Sequence, residues 1–142
     1  MILLDTTVLS YAVGVEHPLR AACRRLLRAH GDGQINATTT VEVIQEFVHV
    51  RARRRSRLDA VALARHYMSA LSLLATRAED LDLGLILFER HTALGAFDAA
   101  LAAVALNQRV EALVSADRAF GDVPGLPWVD PATPRLDRLI GR

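Results

Sequence analysis

Four carboxylates in this 142-residue chain stand either at the end of an apolar run or inside an apolar helix: Asp5, Glu46, Asp98 and Asp117. Asp5 follows Met1-Ile2-Leu3-Leu4, which reads as a strand buried on both faces. Asp117 follows Ala112-Leu113-Val114-Ser115 in the same way. The carboxyl ends of parallel strands form the crevice in which open α/β sheets bind ligands, so neighbouring strands would bring the two acids together there. Asp98 interrupts the first turn of a helix that is otherwise apolar and could reach the same crevice. Carboxylates gathered in a low-dielectric site repel strongly and need a positive partner. Oxygen-only donors fit a hard cation, Mg²⁺ with Mn²⁺ as a substitute. The reaction that such a site serves best is metal-assisted attack of water on a phosphodiester. Plainer roles compete with this one: Asp5 and Asp117 can cap the helices that follow them, Asp98 can complement a helix dipole, and Glu46 can share a solvated face with Glu42.

Other chemistries are removed by what the chain lacks. All seventeen basic residues are Arg, so neither a P-loop nor a Schiff-base lysine can be written. The five His residues contain no i, i+4 pair and Cys23 stands alone, which argues against zinc and against an internal disulfide. There is no G-x-S-x-G elbow. A formal charge of +1 is neutral evidence about polyanions, but Arg51, Arg53, Arg54, Arg55 and Arg57 crowd one helix end and form a candidate phosphate-binding cluster. The lack of interleaved aromatics argues against base stacking as the main mode of RNA binding.

The elements that must position these groups follow from periodicity and punctuation. Thr6 to Val13 reads as a short helix stopped by Gly14, and a second helix starts near His17-Pro18-Leu19 and ends at Gly31-Asp32-Gly33. Gln34 to Thr38 reads as a strand, followed by a threonine run that caps a helix over Val41 to Arg55. A helix over Leu58 to Leu74 completes a hairpin, with Val61, Ala62, Tyr67, Met68 and Leu71 as its apolar side. Leu73 to Thr76 is a candidate strand, and Ala78 to His91 a helix expected to bury Leu81, Leu85, Ile86 and Phe88. Ala96 to Asn107 is apolar all round and therefore central. Ala112 to Ser115 and Pro127 to Val129 close the strand list, and from Pro131 a tail with a short helix is expected. The result is one α/β domain over residues 1–142, with 131–142 as the tail, built on a small, mostly parallel sheet of four to five strands flanked by helices. The opening lacks a basic signal-peptide region and no apolar run reaches the roughly 20 residues of a membrane span, so a cytoplasmic protein without a membrane is expected.

Four motifs follow one another along the chain: Met1-Ile2-Leu3-Leu4-Asp5-Thr6-Thr7-Val8-Leu9, Thr40-Val41-Glu42-Val43-Ile44-Gln45-Glu46-Phe47, Gly95-Ala96-Phe97-Asp98-Ala99-Ala100, and Leu113-Val114-Ser115-Ala116-Asp117-Arg118-Ala119-Phe120. On these the chain bears a resemblance to a PIN-domain ribonuclease of the VapC toxin family. It implies a three-layer-like PIN fold and Mg²⁺-dependent cleavage of RNA, usually tRNA or rRNA. It also implies a homodimer and a cognate VapB-like antitoxin. By position, Asp5 and Asp98 would be the principal metal ligands, Glu46 and Asp117 would complete the pocket, and Thr7 and Ser115 would orient the carboxylates. Glu42, one turn before Glu46, and Asp122, beyond Asp117, are alternative acids. Arg118 joins the arginine run as an RNA-binding candidate. The amphipathic faces of Leu9 to Leu27 and Leu58 to Leu74 could together make a groove for a partner helix. Two rivals are a receiver or dehalogenase-like phosphatase, disfavoured by the missing Lys and by Thr7 at the second-acid position, and a catalytically inactive domain of the same fold that only binds RNA or protein.

Overall fold

The structure is a computed structural model and describes residues 1–141; Arg142, the last residue of the expected tail, lies outside the described residues. Five strands form one sheet in the order β3-β2-β1-β4-β5, where β1 is Ile2–Leu4, β2 Ala37–Thr40, β3 Ser72–Leu74, β4 Ala112–Val114 and β5 Trp128–Val129. Every neighbouring pair is parallel. The chain builds outward from β1 to β3 on one side, then returns to lay β4 and β5 on the other. The order therefore reverses between β1 and β4, the position at which doubly wound sheets open a crevice. Every residue of β1 and β4 is buried, as strands covered on both faces require.

The helices are α1 Thr6–Val13, α2 Arg20–Gly31, α3 Val41–Arg54, α4 Arg57–Ala70, α5 Ala78–Arg90, α6 Ala96–Asn107 and α7 Pro134–Ile140. Helices α1 and α6 have the ends that the sequence predicts. The threonine run is strand rather than only cap: Thr38, Thr39 and Thr40 lie in β2 and are buried. Their hydroxyls are satisfied by Thr38 donating to the Ser72 carbonyl, Thr39 donating to the Leu4 carbonyl, and Thr40 accepting from Val43 N–H as the cap of α3. Buried hydroxyls without such partners would each cost about 1–3 kcal/mol. The fold thus uses this polar strand to tie β1, β3 and α3 together.

Helix α6 is central, with Ala99, Leu101, Ala102, Ala103, Val104 and Ala105 buried. The inner face of α5 differs from the expected one. Leu81, Leu85, Ile86 and Phe88 are 51, 57, 45 and 48% exposed, while Asp80, Gly84 and Leu87 face inward. The reason is steric: a Cβ on Gly84 would sit 3.0 Å from Ala100 Cα, so α5 meets α6 at backbone contact where a leucine has no room. Asp80 closes the same pair by accepting from Arg77 N–H and from the Asn107 amide, both at 2.8 Å. On α4, Val61 and Met68 are likewise exposed and Ala60 and Ala64 take their places. Of the groove expected between the second and fourth helical segments, Leu9, Cys23, Leu26 and Leu71 are ordinary core. The closing segment has its short helix, and α7 is docked rather than trailing, with Leu136 and Leu139 buried and α2 alongside.

Candidate active site

Asp5 ends β1 and caps α1, and the pairing of Leu4 with Val114 sets it beside Ser115 at the end of β4. It is 3% exposed. Three donors converge on its Oδ2: Ser115 Oγ at 2.6 Å, Thr7 Oγ1 at 2.9 Å and Thr7 N–H at 3.4 Å. The two hydroxyls are themselves fixed, since Thr7 Oγ1 accepts from Ala116 N–H and Ser115 Oγ from Asp117 N–H, each at 3.0 Å. Each hydroxyl has one proton and gives it to Asp5, so this carboxylate is locked in one orientation. The Trp128 indole N–H, bonded to the Ser115 carbonyl at 3.0 Å, steadies the strand end beneath. Capping and convergence are thus compatible for Asp5, and likewise for Asp117, which caps the 3₁₀ turn Arg118–Asp122 through Ala119 N–H.

Asp98 sits in the first turn of α6, behind Gly95. Its carboxyl is pushed up to about 7, first by burial, then by the charges of Asp5, Asp117 and Glu46, with a hydrogen bond to Asp117 adding to the rise. That set of neighbours is the sequence-predicted quartet. All four line one cleft of about 240 Å³ together with Thr7 and Arg54. Glu46 is held by Thr6 Oγ1 at 2.8 Å, a contact whose one trace in the sequence is a hydroxyl next to the first acid. Glu42 reaches the edge of the site but is bound instead by Thr76 Oγ1 at 2.8 Å. Asp122 is exposed at the far end of the 3₁₀ turn and does not line this cleft.

The arginine run separates into three kinds of residue. Arg51 is a tether, donating to Asp59 on α4 and, at 3.1 Å, to the Val13 carbonyl at the end of α1. Arg54 and Arg55 line a neighbouring cleft of about 450 Å³, and Arg54 lines the acid cleft as well. Arg53 and Arg118 are exposed and line neither. Phe97, quoted in the sequence only as part of the central acid's surroundings, is 77% exposed at the rim of the acids.

No group of three or more His, Cys, Asp or Glu side chains among the described residues is close enough to hold an ion by itself. The donor set nevertheless fits a hard divalent cation. Mg²⁺ is commonly bound through one or two carboxylates and keeps the rest of its shell as water. Asp5 offers the oxygen that takes none of the three bonds above, and Asp98, raised by burial and then by the charges of its neighbours, stands where a cation would offset those charges.

Residues 2–126 match the sequence model of the PIN domain. Ribonuclease VapC7 of Mycobacterium tuberculosis is 50% identical to this chain, and the match covers 99% of each. Ribonuclease VapC23 of the same species is 37% identical across 69% of this chain and 78% of its own. Among solved structures, VapC20 of M. tuberculosis, titled a sarcin-ricin loop cleaving toxin, superposes with a TM-score of 0.72 at 18% identity, covering 85% of this chain and 93% of the other. VapBC2 from Rickettsia felis, solved bound to a DNA fragment from its promoter, gives 0.71 at 18% identity, covering 92% and 98%.

Proposed function

The chain belongs to the PIN domain family, among the VapC ribonucleases, and from that premise we propose that it is a Mg²⁺-dependent endoribonuclease, the toxin of a toxin–antitoxin pair. The observation that carries this reading is the lining of a single cleft by Asp5, Glu46, Asp98 and Asp117, drawn from four separate elements. Asp5 and Asp98 would hold the ion, with Mn²⁺ able to replace Mg²⁺. When bound, the ion supplies a water of lowered pKa and neutralises charge on the phosphoryl group.

The chain's own residues do the rest. Thr7 and Ser115 keep Asp5 aimed. Glu46, oriented by Thr6, and Asp117, oriented by Ala119 N–H, complete the negative lining that a cation would offset. Arg54 offers its guanidinium to the phosphates flanking the cut. The RNA would be a structured tRNA or rRNA, in keeping with a related toxin titled for the sarcin-ricin loop. The antitoxin would be VapB-like, as the VapBC2 neighbour suggests, and two copies of the chain would pair.

No helix among the described residues is long and apolar enough to cross a membrane. The lone thiol, Cys23, is buried and pushed up to about 12, which suits a cytoplasmic protein with no disulfide to make. In an assay of purified chain on tRNA and rRNA, Mg²⁺ should give discrete cuts and EDTA should remove them. Asp98→Asn should lower the rate at least about 10²-fold, since even a group that only orients a metal ligand is worth about 10–100-fold, with the circular dichroism spectrum kept. A variant that still cuts would remove Asp98 from the mechanism. RNA bound tightly but never cut would favour the binding-only alternative.

A further inference from the structure

We infer that Phe97 is a stacking platform for an unpaired RNA base next to the scissile phosphate; this rests on the ribonuclease reading and adds the form of substrate that the site accepts. Phe97 is 77% exposed although it is one of only four phenylalanines in the chain. It stands in the first turn of α6, one residue before Asp98. Its ring lines the acid site with Asp5, Glu46 and Asp98, and also walls a second cleft of about 400 Å³ with Gln45, Glu46, His49 and Val50.

Charge decides what this second cleft can hold. It is lined by Glu42 and Glu46 and by no arginine, so a phosphate there would meet two carboxylates. A nucleobase has no charge, two flat faces for Phe97, and polar edges within the chemistry of the Gln45 amide and the His49 imidazole. Phosphates have their own place at the other end of α3, where Arg54 and Arg55 line the neighbouring cleft. Arg54 lies eight residues beyond Glu46, about 12 Å along the helix axis. A strand crossing the acids can therefore lay its backbone toward Arg54 and turn one base toward Phe97. A base still paired in a duplex has no free face to offer, so at least one nucleotide at the cut must be unpaired.

The test uses the full chain with a single-stranded RNA oligonucleotide, the same sequence annealed as a duplex, and a set of copies carrying 2-aminopurine at each position in turn. Phe97→Ala and Phe97→Leu should each raise KM about tenfold, the scale of one lost stack, with kcat within about twofold, and Phe97→Trp should restore KM. Leucine keeps the apolar bulk and loses the aromatic face, so it separates stacking from general hydrophobic contact. In the Asp98→Asn background the 2-aminopurine fluorescence should fall on binding, and the fall should vanish with Phe97→Leu. That measurement needs no turnover and so judges Phe97 even if the wild-type chain cuts nothing, an outcome that would count against the ribonuclease reading alone. Leucine behaving as phenylalanine in both measurements, or equal cleavage of duplex and single strand, would overturn the proposal. So would a Phe97→Leu variant that binds RNA normally and changes only the molar mass of the protein, because the side chain would then serve a protein contact.

Discussion

Asp98 is raised first by its burial and then by the three acids around it. Its ordinary value near 3.8 is raised to about 7, so between those limits the unfolded chain has lost a proton that the folded chain still holds. Below about 4 both states carry the proton and the group contributes nothing. As pH rises from there, folding is progressively penalised, and above about 7 the penalty is constant. Asp98→Asn removes the titration. Its melting temperature should therefore gain on that of the wild type between pH 5 and pH 8 in metal-free buffer, and a difference that does not change with pH would show that neither burial nor the neighbouring charges raise Asp98. A bound divalent cation needs the ionised form, so added Mn²⁺ should raise the wild-type melting temperature more at pH 8 than at pH 5.5. At this scale the sequence was informative wherever an acid ended a strand. Asp5 and Asp117 were legible because strand direction decides where the next side chain falls. Asp80 was not, although it is 1% exposed. Its carboxylate is spent on Arg77 N–H and Asn107, partners that become neighbours only once α5 and α6 pack.

The elements explain which side chains periodicity could rank and which it could not. Helix α6 was legible from end to end because it is apolar on every side and only the centre of a fold accepts such a helix. Helix α5 has Leu81, Leu83, Leu85, Ile86, Leu87 and Phe88 spread around its circumference, so hydrophobicity alone selects no inner face. Close approach made the choice, and it selected the smallest residue. Gly84→Ala should therefore lose roughly 1–3 kcal/mol, the usual cost of overpacking, because its Cβ would lie 3.0 Å from Ala100 Cα and 3.2 Å from Ala100 N. The same change at Gly31, where an added Cβ meets nothing within 4 Å, supplies the control and should be close to neutral. Chemical denaturation of the two variants measures both. Since α6 also presents Asp98, displacement of α6 by Gly84→Ala should lower cleavage, whereas Gly31→Ala should leave it alone. Equal stability of the two variants would mean that the α5–α6 contact yields without strain.

For the whole molecule, the outward face of α5 is the feature a monomer leaves unexplained. Leu81, Leu85 and Phe88 recur at four- and three-residue steps and are each about half exposed, with Ile86 beside them. A stripe of this kind on a helix whose other side is already packed against α6 fits a self-complementary contact with a second copy, since a two-fold interface places the same patch on both partners. The acid cleft draws Asp5, Glu46, Asp98 and Asp117 from a single chain, so pairing is not required to assemble it. The proposed pairing and the single-chain cleft make separable predictions. The double change Leu85→Glu with Phe88→Glu puts like charges opposite one another across such an interface and should shift the molar mass by light scattering from two copies to one. The core is untouched, because both side chains already face solvent in a single chain, so the circular dichroism spectrum should be kept. Cleavage per chain should fall by no more than about twofold, well below the loss expected from removing a catalytic group. A mass that stays at two copies would place the interface on another face, and a mass that halves together with cleavage would mean that the second copy completes or steadies the site.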